Sequence, residues 1–140
     1  PHPLVGTWRL TAFLGEDQAT GERRPLLGDR PSGRMLLLAN GYMSAILTGT
    51  DRHAATTDAE RLQLFNTLIS YAGRYTLRDD GAFVTDVDVA WNPAWVGTAQ
   101  TRFWRLDGDR LEVVSAWAPS PFDPQVQWRA LLEWVREAGP

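Results

Sequence analysis

The sequence predicts an all-β protein, an antiparallel up-and-down barrel of about eight strands, nine at most, with one helix inserted between the third and fourth. Three observations carry this expectation. Apolar residues recur with period two over most of the chain, and Asn-Gly and Asp-Gly pairs punctuate these runs at hairpin spacing. A single stretch, after Thr57, changes to the three-and-four spacing of a helix.

Taken in order, Leu4 to Leu14 alternates in part and reads as the first strand. Met35 to Ala39 is a continuous apolar run, and Tyr42 to Thr48 follows after Asn40-Gly41, whose two residues tolerate the positive φ of a tight hairpin turn. Thr57-Asp58-Ala59-Glu60 then offers a capping box ahead of Leu62, Leu64, Phe65, Leu68 and Ile69, which share one helical face. The spacing predicts a helix over 58–70. Lacking a strand partner, it is expected to lay that face over one barrel opening, with Asp51 to Tyr71 acting as a lid. Beyond Gly73 the period returns to two. Tyr75 to Arg78, Phe83 to Trp91, Thr98 to Leu106, Leu111 to Trp117 and Val126 to Arg136 are the remaining strands. Turns are expected at Asp79-Asp80-Gly81 and Asp107-Gly108-Asp109, and loops over Asn92 to Gly97 and Pro119 to Pro124. With no linker, repeat or low-complexity tract, residues 1–140 are read as one domain.

Composition removes several kinds of chemistry. The chain has no cysteine and no lysine, so disulfides, thiolate nucleophiles, cysteine zinc sites and Schiff-base catalysis are excluded. A net charge of −3, with scattered arginines supplying all 14 basic residues, argues against a nucleic-acid or anionic-lipid surface. No apolar run reaches the roughly 18 residues of a membrane helix. The opening Pro1-His2-Pro3-Leu4 lacks the basic and apolar regions of a signal peptide, so a cytoplasmic location is expected. There is no phosphate loop, no metal-ligand spacing and no nucleophile elbow, and neither metal nor cofactor is expected. The 7 tryptophans in 140 residues serve either a tryptophan-rich core or the wall of an apolar ligand site.

The opening Leu4-Val5-Gly6-Thr7-Trp8-Arg9-Leu10 resembles the Gly-x-Trp first strand of lipocalins, and more closely the small microbial lipocalin-like domain family. Gly41-Tyr42-Met43-Ser44, Tyr71-Ala72-Gly73-Arg74-Tyr75, Asn92 to Thr98 and Gln100-Thr101-Arg102-Phe103 are similar to that family's segments, in its order. The resemblance implies a barrel in which Trp8, beside Gly6, plugs the closed end and an arginine of the last strand packs across the indole. Arg136 is the candidate, with Arg129 the alternative.

For chemistry, Asp86 and Asp88 share one strand face. Periodicity alone sends both to solvent and Phe83, Thr85, Val87, Val89 and Trp91 inward. Similar proteins often carry His-Val-Glu where this chain has Asp86-Val87-Asp88, and the resemblance therefore favours an internal pair beside Asn92 and Arg102. Buried together, such carboxyls would raise one pKa toward neutrality and give a proton donor, with Arg102 holding the other ionised. Arg102 reaches inward only if the face it shares with Gln100 and Trp104 lines the cavity. Tyr42, Ser44, Tyr71 and Tyr75 are candidates to orient a ligand, and Trp91, Trp95, Trp104 and Trp117 to form its aromatic walls. For each tyrosine the alternative is packing with a satisfied hydroxyl. His53 falls in a polar loop, as a solvated side chain or a gate.

Two functions remain. One is a cofactor-independent natural-product enzyme promoting cyclisation, isomerisation or dehydration of a polyketide-like substrate, with Asp86, Asp88 and Arg102 catalytic. The other is a carrier for a small hydrophobic molecule. A homodimer is compatible with either.

Overall fold

The computed structural model describes residues 2–120 and 123–139. The strands are β1 (Gly6–Asp17), β2 (Arg23–Pro25), β3 (Ser32–Leu37), β4 (Tyr42–Thr48), β5 (Leu68–Leu77), β6 (Ala82–Ala90), β7 (Ala99–Asp107), β8 (Arg110–Val114), β9 (Ala118–Pro119) and β10 (Gln127–Arg136). Helix α1 (Asp58–Asn66) precedes β5, and a single 3-10 turn spans Pro93–Trp95. All pairings are antiparallel, and β1 pairs with β10 to close an eight-strand barrel of β1, β3, β4, β5, β6, β7, β8 and β10. The short β2 and β9, which sequence periodicity does not reveal, lie alongside β1 and β10. The loop expected over Pro119 to Pro124 includes Pro121 and Phe122, which lie outside the described residues; Pro119 itself pairs in β9.

Turn chemistry explains the meander. Asn40 Oδ1 accepts from the Tyr42 amide while Gly41 takes φ 90°, a left-handed value that costs glycine nothing and reverses the chain between β3 and β4. Inside, alternate residues from facing strands interdigitate: Leu10, Met35, Leu37, Met43, Ala45, Leu47, Phe83, Leu111, Val113 and Trp134 are all buried.

The helix is shorter than its periodicity predicts. It ends at Asn66, and Leu68 and Ile69 enter β5, where they pair with Thr48 and Leu47. The run Leu68 to Tyr75 fits both periods, and backbone hydrogen bonding to β4 selects the extended one. Nor does α1 bury an apolar face over the opening: none of its residues is buried, and Leu62 and Phe65 are exposed. Its ends hold it instead. Thr57 and Glu60 form a capping box, and these hydroxyl contacts, with that of Thr56, keep the Glu60 carboxyl below its ordinary pKa. At the other end Arg52 donates to the Leu64 carbonyl at 3.0 Å and to Thr67 Oγ1 at 3.2 Å.

A β-bulge lies between β5 and β6, where Ala72 pairs with Val89 but Gly73 with Val87, leaving Asp88 unmatched. A Cβ on Gly73 would stand 1.9 Å from the Asp86 carbonyl oxygen, so only glycine permits this approach. The bulge turns Val89 outward, against the strict alternation expected for Phe83 to Trp91.

At one end of the barrel Trp8 is fully buried and its Nε1 donates to the Leu4 carbonyl at 3.0 Å. Arg136 stands 4.3 Å above the indole, donates to the Val5 carbonyl at 3.0 Å and to the Pro3 carbonyl, and pairs with Asp109. A Cβ on Gly6 would lie 2.6 Å from Arg136 Nη1, which accounts for glycine in the Gly-x-Trp segment. Arg129 lies over Trp117 instead. Trp8→Ala should lower the unfolding free energy in urea by about 3–5 kcal/mol, as for other large core deletions, with ligand binding per folded molecule retained.

Candidate functional site

Because β6 directs Phe83, Thr85 and Val87 inward, its intervening residues point out, and Asp86 and Asp88 are exposed on the outer surface. The register pairs Phe83 with Arg102 and Thr85 with Gln100, so the Gln100, Arg102, Trp104 face of β7 is the inner one. The expected meeting of Asp86, Asp88 and Arg102 inside the barrel therefore does not occur. Arg102 is within, and both aspartates are outside, as strand alternation by itself requires.

Tyr42 and Ser44 are corrected in the same way. Both are exposed, Tyr42 lying beneath the Arg74 guanidinium, while Met43, Ala45 and Leu47 form the inner face of β4. Trp117 is exposed beneath Arg129. Tyr75 faces inward, but its hydroxyl donates to the Leu38 carbonyl at 2.7 Å. Trp104 also faces inward, edge-on to His2 at 5.6 Å, with its Nε1 buried and without a hydrogen-bond partner. Asn92 caps the 3-10 turn, its Oδ1 accepting from the Ala94 amide. His53 is an exposed loop residue.

The lumen that remains is predominantly apolar. Its walls are Phe13, Met35, Ala45, Leu47, Ile69, Tyr71, Phe83, Trp95, Val113, Ala130, Leu132 and Trp134, with Arg102 the only charged member, around ≈ 50 Å³ of free space. Of these, sequence reasoning singled out Tyr71, Trp95 and Arg102 for the site. Of the others, alternation signals Phe83, whereas Ile69 reads as part of the helix face and Met35 as part of a continuous apolar run, and only strand register brings them to the lumen. At the opening, Tyr71 lies 5.3 Å from Trp95, Trp95 5.0 Å from Trp91, and Trp91 6.2 Å from Phe65 of α1. Trp91 Nε1 donates to the Phe65 carbonyl at 3.3 Å, tying this aromatic row to the helix.

Polar groups inside are few. Arg102 donates from Nη2 to Gln100 Oε1 at 3.0 Å and from Nη1 to the Thr101 carbonyl at 2.9 Å. Among the described residues it has no carboxylate partner within salt-bridge distance. Burial pushes the Tyr71 phenol above its ordinary pKa, and the nearby Arg102 charge pulls it partly back. Thr85 Oγ1 and Trp134 Nε1 are buried without hydrogen-bond partners. With a cation, a phenol kept protonated and an indole N–H, the lumen can donate hydrogen bonds to a ligand oxygen, while its lining contains no carboxylate to take a proton.

Fold and site together define a closed antiparallel barrel with an aromatic mouth and an apolar interior. The chain belongs to the lipocalin-like domain family, which it matches over residues 5–137. No curated protein matches it. Among the described residues no helix is long and apolar enough to cross a membrane.

The raised Tyr71 pKa has a measurable consequence. Above pH ~10 the unfolded chain releases this phenolic proton while the folded chain retains it, so the unfolded state binds fewer protons and stability falls as pH rises. In an ultraviolet absorbance titration, Tyr71 should ionise at higher pH in the folded protein than in the unfolded chain. The Tyr71→Phe variant should lose part of the alkaline decline in stability.

Proposed function

We propose that this protein binds a small, mainly hydrophobic molecule in the barrel lumen. The observation that carries this reading is the lining itself, a continuous apolar and aromatic wall interrupted by few hydrogen-bond donors, which is the usual make-up of a small-molecule site. Membership of the lipocalin-like family supports it. The free volume is small, which favours a slender ligand or one that extends past Trp95 toward the mouth.

Binding is preferred to catalysis because the acid–base pair envisaged for a cyclase, isomerase or dehydratase lies on the outer surface. A polyketide-like substrate would have to react through confinement alone, with Tyr71 and Arg102 as hydrogen-bond donors. Double replacement of the carboxylates, Asp86→Asn with Asp88→Asn, should leave ligand affinity within about 2-fold of wild type, as expected of solvated surface charges.

The neutral fluorophore N-phenyl-1-naphthylamine tests the site directly. Saturable binding with a blue-shifted emission is expected, together with altered tryptophan emission from Trp95 and Trp134. Ala45→Leu, which adds three carbons inside the lumen, should weaken binding by about 10-fold or more by overpacking the space the probe needs, with cooperative melting as the check on folding. No saturable binding by the wild-type protein, or equal affinity in a folded Ala45→Leu variant, would refute the proposal.

A further inference from the structure

From the setting of Arg102 we infer that the ligand is a monocarboxylate, its apolar body between the aromatic walls and its two carboxylate oxygens on the Arg102 guanidinium. This inference rests on the ligand-binding reading above and adds the chemistry of the head group.

Arg102 lines a barrel lumen that is otherwise apolar and aromatic. A guanidinium carries five N–H donors and a permanent charge, and removal from water is unfavourable unless both are answered. Here two donors are satisfied, by the Gln100 side chain and the Thr101 carbonyl, and both acceptors are neutral. Arg102 is half-buried, and its three remaining N–H groups and its charge have no protein acceptor among the described residues, which leaves them to solvent or to a ligand. Every other lumen wall is apolar or aromatic, so no carboxylate of the lining can neutralise it. Glu16 illustrates the contrast on the outside of the same barrel: it is buried, and it holds Arg23 at 2.9 Å and Arg129 at 3.0 Å.

Two other groups of the lining can donate as well. Trp134 Nε1, on the same lining, is buried and unbonded, and the Tyr71 phenol sits close enough to feel the arginine's charge. A fixed positive charge, an indole N–H that can only donate, a phenol that can donate and no carboxylate on the lining together fit an oxyanion and reject a cation. Among oxyanions, the planar two-oxygen carboxylate matches the guanidinium fork, whose two parallel N–H vectors give a bidentate bond that a single hydroxyl oxygen cannot form. Gln100 fixes the fork by accepting from Nη2, which makes it a positioning residue.

Calorimetric titration of the intact protein with octanoate, octan-1-ol, methyl octanoate and octylamine at constant pH and salt separates the head group from the tail. Octanoate is expected to bind about 10-fold or more tightly than the alcohol or the ester, the scale of hydrogen bonds to a charged group, and octylamine least. In Arg102→Met the octanoate-to-octanol preference should collapse to about one, whereas Arg102→Lys, which keeps charge without the fork, should retain a reduced preference. Equal affinity of octanoate and octanol for the wild-type protein overturns the head-group inference while leaving the binding reading intact. A preference that survives in folded Arg102→Met also overturns it. If none of the four compounds binds and the neutral fluorophore also fails, the binding reading itself falls. The wild-type comparison decides the matter even if a variant does not fold.

Discussion

Antiparallel pairing of β1 with β10 converts a long meander into a closed surface, and the rest of the structure depends on it. Without that seam two strand edges would stand open and the inner faces of eight strands would have no common interior. The seam is locked where the two chain ends approach. Trp8 pairs with Arg136 across it, the guanidinium covers the indole, and the same arginine gathers the Val5 and Pro3 carbonyls. One cation therefore ties the residues preceding β1 to the last strand. Because the indole N–H is met by Leu4, a large aromatic can be buried there without leaving its donor unsatisfied.

Charge is distributed differently inside the barrel and at its seam. Arg136 and Arg129 have carboxylate partners, Asp109 and Glu16, within 3.4 Å and 3.0 Å. Arg102 has only neutral acceptors, in a lumen otherwise lined by hydrocarbon and aromatic rings. A half-buried guanidinium with no charge of opposite sign beside it contributes little to folding. On the reading proposed above, its place on the lumen wall serves a bound ligand rather than folding.

The opening is organised by aromatic contact and by helix ends rather than by a buried helix face. Phe65, Trp91, Trp95 and Tyr71 form a row running from α1 into the lumen. The helix itself is fixed through its capping box and the Arg52 contacts at its C-terminus, with Leu62 and Phe65 exposed. Few apolar contacts anchor this segment, so it can open locally at a lower free-energy cost than the strands beneath it. On the binding reading proposed above, the exposed Phe65 would meet any part of a ligand that protrudes from the lumen.

The sequence by itself determined the antiparallel meander, the hairpins at Asn40-Gly41 and Asp80-Gly81 and the helix start at Thr57, because each is written in local chemistry: positive-φ turn residues, a capping box, and period-two alternation; the Gly6-x-Trp8 plug came from the family resemblance. Family resemblance over the whole chain was legible for the same reason, since it rests on ordered local segments. What lay beyond it was whatever depends on partners distant in the chain. Leu68 and Ile69 satisfy a helical face and a strand alike, and only the hydrogen bonds of β4 decide between them. The bulge opposite Gly73 breaks the alternation that would have turned Val89 inward, and its cause is the approach of the Asp86 backbone, invisible along one strand. For Asp86 and Asp88, alternation pointed to solvent and the tertiary structure agrees, whereas the idea of an internal pair required an acidic face that the closed barrel does not provide. Arg102 was visible as a candidate, but its direction followed from register with Phe83, and its lack of a counter-charge from what seven other strands place around it. Period and turn chemistry are properties of neighbours in sequence; which face becomes the inside, and what stands opposite a charge there, are properties of closure.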